Sequence, residues 1–128
     1  MESFKGKFYF GTNKPNELVV LGRSVFFYAK SLPDQNDLMS LKFIVFHNGK
    51  VIYNRTIETY KTSTGTDMLG DAISFRDVGS YTVVLEATDR EEKVYKMSFL
   101  IKVNESKKFS DDEMQLAIAY DNTKLRKD

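Results

Sequence analysis

Few residues in this chain could carry out chemistry, and their spacing fits no catalytic motif. His47 is the single histidine and there is no cysteine, so thiolate catalysis, disulfide bonds and cysteine-bound zinc are excluded. The chain also lacks G-x-S-x-G, H-E-x-x-H and a glycine-rich phosphate loop. His47 directly precedes an Asn-Gly pair, so we interpret it as an exposed turn residue. The sequence therefore predicts a protein that is not an enzyme and has no catalytic residue.

Carboxylates are the remaining side chains with ligand chemistry, and they fall in three short polar segments. The segments contain Asp34 and Asp37, then Asp67 and Asp71, then Asp89, Glu91 and Glu92. Calcium requires roughly six to eight oxygen ligands held together. None of the segments has D-x-D-x-D-G spacing, and polar turns collect Asp and Glu without binding metal. We therefore expect no metal and no cofactor.

Aromatic side chains are better candidates for binding. The chain has ten Phe and seven Tyr but no Trp. Five of them, taken together, are more aromatic side chains than one sheet face needs. We name these five as candidate partner-binding aromatics: Phe4, Phe8, Phe10, Phe26 and Tyr28. The competing interpretation is a core strand with a packed amino terminus.

A carbohydrate ligand is an alternative to a protein partner, because β-sandwiches with surface aromatics also bind sugars. The tyrosines that could stack on a sugar ring are Tyr28, Tyr53, Tyr60 and Tyr95. The absence of Trp weakens this alternative.

Length and net charge further limit the classes of protein to which this chain can belong. The 128 residues fit one ordinary domain. A net charge of +1 argues against a strongly basic nucleic-acid binder. The amino terminus has no apolar region of signal-peptide length, and no run of about 18 apolar residues predicts a membrane span.

The secondary structure that must position the candidate residues consists mainly of short strands. Apolar alternation and turn signals predict strands at 8–10, 17–21, 25–29, 41–46, 51–60, 72–75, 80–88 and 93–103. Asn48-Gly49 between two apolar runs predicts a tight hairpin, because both turn positions must accept positive φ. The fold class is therefore all-β, and we expect an antiparallel β-sandwich of seven to eight strands in residues 1–106.

The carboxyl-terminal segment, 107–128, has a different character. The run from Ser110 to Glu113 fits a capping box, which favours a short helix over about 111–124. Met114, Leu116, Ile118 and Tyr120 also alternate as in a strand. We expect the helix.

One motif resembles a known fold family. Asp77, Gly79 and Tyr81 resemble the D-x-G-x-Y pattern of immunoglobulin-like domains, in which the tyrosine hydroxyl bonds to nearby backbone at the tyrosine corner. The resemblance implies an immunoglobulin-like sandwich in which the Tyr81 hydroxyl bonds to backbone at 76–78. Val83 stands where the family has a cysteine, so the resemblance implies no core disulfide.

Two variants of this superfamily are similar over longer runs. Residues 79–89 are similar to the G-x-Y-x-V-x-L run of PKD-like domains, which are common on microbial surfaces. Residues 13–15 and 21–26 are similar to the opening of macroglobulin-type domains. The chain lacks the W-x-F-G-D-G motif of the first and the proline before the glycine of the second.

These observations lead to one functional expectation. We expect a non-catalytic protein-binding or structural module of a larger surface, viral or secreted assembly. Its partner would be another protein or a second copy of the chain, with no nucleic acid and no direct membrane insertion. The sequence leaves the location open, and the resemblance favours an extracellular, cell-surface or virion one.

Overall fold

The computed structural model describes residues 2–13, 18–20, 22–59 and 65–104, and every regular element in these ranges is a strand. The nine strands are β1 Glu2–Lys5, β2 Phe8–Thr12, β3 Leu18–Val20, β4 Ser24–Ser31, β5 Ser40–His47, β6 Lys50–Glu58, β7 Met68–Ser74, β8 Gly79–Thr88 and β9 Val94–Asn104. The predicted boundary at residue 106 and the predicted helix in 107–128 lie outside the described residues. A helix long and apolar enough to cross a membrane is not found in the described part of the chain.

The strands form two sheets. Sheet I has the order β1-β2-β4-β7, and sheet II has the order β3-β9-β8-β5-β6. All pairings are antiparallel except that of β3 with β9. The predicted all-β sandwich is confirmed. The sequence patterns indicated eight of the nine strands and missed β1.

Turn chemistry fixes the register of the β5–β6 hairpin. Asn48 and Gly49 both have positive φ, at 52° and 76°, as a two-residue hairpin turn requires. His47 therefore pairs with Lys50. The Asn-Gly prediction is confirmed.

The core lies between the sheets and is built by alternation. Every second residue is buried over 25–31 of β4, 41–45 of β5 and 81–87 of β8, because successive side chains in a strand point to opposite faces. The fully buried aromatic rings are Phe8, Phe10, Phe27, Phe43 and Tyr81. Each such ring contributes about 1.5–3 kcal/mol relative to an exposed one. Phe27 of sheet I meets Phe99 of sheet II with ring centroids 5.8 Å apart, which joins the two layers.

A buried carboxylate organises one end of the sandwich. Asp89 follows β8, and its Oδ1 accepts hydrogen bonds from the backbone amides of Glu91 and Lys93 at 2.8 and 2.9 Å. Its Oδ2 lies 3.2 Å from the Lys7 ammonium of the β1–β2 turn. This carboxylate therefore closes the β8–β9 hairpin and ties the first hairpin to it.

Candidate functional site

The motif of Asp77, Gly79 and Tyr81, which resembles that of immunoglobulin-like domains, lies at the opposite end of β8 from Asp89. The Tyr81 hydroxyl donates a hydrogen bond to the Asp77 carbonyl over 2.6 Å, which is the contact that the sequence predicted. Tyr81 is buried, and its ring packs on Phe75 with centroids 4.7 Å apart. Gly79 has a φ of 130°, which an L side chain rarely adopts. Asp77, Gly79 and Tyr81 thus close an end of the core.

His47 is not the exposed turn residue that the sequence analysis expected. It ends β5 and pairs with Tyr81, so its half-buried ring stacks on the tyrosine ring at 4.1 Å and 14°. Its Nδ1 lies 3.1 Å from the Ser80 carbonyl oxygen. The β5–β8 pairing, which the chain position of His47 did not reveal, makes the imidazole part of the packing around Tyr81.

Two of the five candidate aromatics are core residues. Phe8 and Phe10 are fully buried, because β2 directs alternate side chains toward sheet II, where Phe8 meets Tyr95 at 5.5 Å. As partner-binding residues they are therefore ruled out. Phe4, Phe26 and Tyr28 lie on the outer face of sheet I instead.

The outer face of sheet I gathers a set of apolar side chains that we call the aromatic face. Its members are Phe4, Tyr9, Phe26, Tyr28 and Met68. The register Phe4↔Tyr9, Tyr9↔Lys30, Lys30↔Met68 forms one row across the sheet. Phe4 is 50% exposed and Met68 is 40% exposed, and the Phe4 and Tyr9 rings lie 4.8 Å apart. Tyr9 was missed by sequence analysis; its alternation with Phe8 and Phe10 was the available signal.

Two glycines give the aromatic face its shape. Gly11 and Gly70 both pair with Tyr28, on either side of β4. A Cβ at Gly11 would overlap the Tyr28 ring, and one at Gly70 would lie 2.5 Å from Cζ of Phe26. The Tyr28 and Phe26 rings therefore lie above the neighbouring strands, in space that a side chain in place of Gly11 or Gly70 would fill. The Phe26 and Tyr28 rings lie 6.0 Å apart and within 26° of parallel.

The charges on this face neutralise one another. The Tyr28 hydroxyl donates to Oε2 of Glu2 over 2.5 Å, and Lys30 Nζ lies 3.3 Å from the same oxygen. Burial, reinforced by the hydrogen bond to Glu2, raises the pKa of Tyr28 to about 12. The same hydrogen bond from Tyr28 lowers the pKa of Glu2, against a smaller opposing effect of burial. The phenol and the carboxylate thus each keep one protonation state near neutral pH.

The other candidate residues are not brought into a common site. Tyr53 and Tyr95 are half-buried and pack against the core, whereas Tyr60 lies outside the described residues. Asp37 lies 3.9 Å from Lys7, the lysine that also pairs with Asp89. Within residues 2–13, 18–20, 22–59 and 65–104, no group of three His, Asp or Glu side chains is placed to hold a metal ion.

Comparison with known proteins adds little. No family model matches the chain, and no curated protein matches it. The crystal structure of the PmoD soluble domain from Methylocystis sp. ATCC 49242 (Rockwell) is similar, with 13% identity, a TM-score of 0.49, and coverage of 81% of this chain and 97% of that one. The X-ray crystal structure of a putative lipoprotein from Bacillus anthracis is similar at 12% identity and a TM-score of 0.39, over 81% of this chain and 84% of that one. At these scores neither similarity assigns a function.

Proposed function

We propose that this protein is a non-catalytic module that binds a protein partner through the aromatic face, as part of a larger surface, viral or secreted assembly. One observation carries the proposal: an outer sheet face bears five large apolar side chains, two of them at least 40% exposed. Monomeric soluble proteins rarely expose contiguous apolar patches larger than roughly a few hundred Å², and larger patches mark interaction sites.

The composition and shape of the face favour a protein over a small ligand. Phe, Tyr and Met are enriched at the centre of protein interfaces, where charged residues are depleted. Small-molecule sites are concave, whereas this surface is the outside of a four-stranded sheet. The charged pair described there, Glu2 and Lys30, is already mutually satisfied, so covering it leaves neither of these two charges isolated.

We also infer that the sandwich is immunoglobulin-like. The order β2-β4-β7 in sheet I corresponds to strands A, B and E of that fold, and the order β9-β8-β5-β6 in sheet II corresponds to G, F, C and C′. The Tyr81–Asp77 hydrogen bond at the start of β8 supports the same assignment.

A carbohydrate ligand is the second candidate. The near-parallel Phe26 and Tyr28 rings favour it, since adjacent aromatic rings can stack on sugar faces. The side chains of Asn13, Ser24 and Ser74 lie nearby and could add polar contacts.

A comparison of two surface variants tests the proposal. The double variant Phe4→Ser and Met68→Ser alters only exposed side chains of the aromatic face, and Leu100→Ser alters a 72% exposed residue of sheet II as the matched control. Each immobilised protein is incubated with extracellular extract and bound proteins are quantified by mass spectrometry, with a parallel glycan array. We expect wild type and control to enrich the same proteins and the double variant to lose them. Equal enrichment by all three proteins would refute the proposal, and binding confined to the glycan array would favour the carbohydrate candidate.

A further inference from the structure

Strand β6 forms an open edge of sheet II. It runs over nine residues, Lys50–Glu58, and six of the first eight side chains are exposed. Among the described strands it pairs with β5 alone. Within residues 2–13, 18–20, 22–59 and 65–104 no strand covers the other side of its backbone, so that side is open to pairing with another strand.

The hydrogen-bond pattern shows which backbone groups point outward. The Thr59 amide donates to the Met39 carbonyl over 3.0 Å, so at this end of the hairpin Thr59 is directed toward β5. Backbone groups alternate in direction along a strand, so Ile57, Arg55 and Tyr53 also face β5. Asn54, Thr56 and Glu58 direct their amide and carbonyl groups away from the sheet.

The devices that usually block such an edge are absent or neutralised over 53–58. The bulge lies between Val45 and Phe46, opposite 51–53, and so disturbs only the first half of β6. Residues 53–58 contain no proline and no lysine. The inward charge of Arg55 is held by Asp71 of sheet I at 2.6 Å, so it does not obstruct a neighbouring strand.

We propose that β6 pairs with β6 of a second copy of this chain, antiparallel about a two-fold axis at Thr56. The pairing joins the two copies of sheet II into one continuous sheet. In this register Thr56 faces Thr56 of the second copy and Asn54 faces Glu58. About six backbone hydrogen bonds form from the outward groups, and Thr–Thr pairs on a sheet face are favourable.

Residues 53–58 are complementary to their own two-fold copy, and charge and bulge position select this register of the pairing. A two-fold axis at Arg55 would place two arginines opposite each other, and like charges directly opposite are destabilising. An axis at Asn54 would bring the bulge at 51–53 into the ladder. With the axis at Thr56, Glu58 lies opposite the side-chain amide of Asn54 of the second copy. Arg55 lies opposite Ile57 of that copy, so no like charges face each other.

Sedimentation velocity and amide hydrogen exchange test the pairing with the full chain. We expect concentration-dependent dimers and slowed exchange at Asn54, Thr56 and Glu58 at high concentration, whereas Tyr53, Arg55 and Ile57 stay protected at every concentration. Thr56→Lys places two ammonium groups opposite each other and should raise the dimer dissociation constant at least about tenfold. The matched control Thr56→Val keeps the backbone donor and should still dimerise.

A proline substitution separates pairing from folding. Thr56→Pro removes an amide that faces solvent in the monomer, which an edge strand tolerates, so the circular dichroism spectrum should persist while the dimer is lost. If Thr56→Pro fails to fold, the outward direction assigned to the Thr56 amide is wrong and so is the register. A wild-type chain that stays monomeric up to about 1 mM, where weak dimers are populated, would overturn the proposal. A dimer unaffected by Thr56→Lys would overturn it as well.

Discussion

The Tyr81 hydroxyl donates to the Asp77 carbonyl inside a packed end of the core. Tyr81→Phe keeps the ring but leaves that carbonyl without its donor, which should lower the free energy of unfolding by about 1–2 kcal/mol. Urea unfolding at constant m-value measures the loss. Tyr9→Phe, which removes a hydroxyl from the outer face, is the matched control and should change stability by less than about 0.5 kcal/mol. Equal effects of the two substitutions would contradict a structural role for the Tyr81 hydroxyl.

Asp89 gives the fold a dependence on pH. Burial raises its pKa, but the Lys93 amide, the Lys7 ammonium and the Glu91 amide together lower it below the ordinary 3.8. A lowered pKa in the folded state adds stability above the unfolded pKa, and that stability is lost as pH falls through the folded value. We expect the wild-type free energy of unfolding to fall below about pH 4 for this reason.

Asp89→Asn isolates this contribution, because the amide keeps an oxygen for the two backbone donors but loses the charge facing Lys7. We expect a loss of about 1–2 kcal/mol at pH 7 that shrinks toward pH 2. Unfolding curves of both proteins across this range measure it. A loss that is the same at pH 7 and pH 2 would contradict the ionic contribution of Asp89.

Among the strands of sheet I, the two glycines of the aromatic face differ in what surrounds them. A Cβ at Gly70 would lie 2.9 Å from the Phe27 carbonyl oxygen, whereas at Gly11 the three nearest atoms all belong to the Tyr28 side chain. A side chain can rotate away and backbone cannot. Gly70→Ala should therefore destabilise the fold more than Gly11→Ala, within the range of about 1–3 kcal/mol typical of overpacking.

Gly11→Ala should act mainly on Tyr28. Displacing the ring from β2 breaks its hydrogen bond to Glu2 and exposes it, so the pKa of Tyr28 should fall from about 12 toward its ordinary value of 10.0. Absorbance titration of tyrosinate, with Tyr28→Phe to identify the group, measures the shift. An unchanged titration would mean that Gly11 does not set the ring position.

The strands differ in how well the sequence predicted them. Alternation located β4, β5 and β8 because each buries one face, and Asn48-Gly49 located a hairpin. Strand β1 was missed because its four residues include only one large apolar side chain, Phe4; its pairing with β2 makes it a strand. Sequence also could not separate Phe8 and Phe10 from Phe26 and Tyr28, since alternation marks two faces of a strand without showing which one meets the other sheet.

For the whole molecule, the outer faces of the two sheets differ in composition. Sheet I presents aromatic rings around a satisfied Glu2–Lys30 pair, whereas sheet II exposes the aliphatic Leu100, Val51 and Ile52. The proposed self-pairing uses the β6 edge, so it leaves the aromatic face open. Both associations can therefore occur together, as a component of a larger assembly requires.

The absence of cysteine permits a direct test of which face binds. Single-cysteine variants Phe4→Cys on the aromatic face and Leu100→Cys on sheet II are labelled with a maleimide, alone and in the extract that supplies the partner. We predict that the partner slows labelling of Phe4→Cys and leaves labelling of Leu100→Cys unchanged. Slowed labelling at Leu100→Cys with none at Phe4→Cys would contradict it.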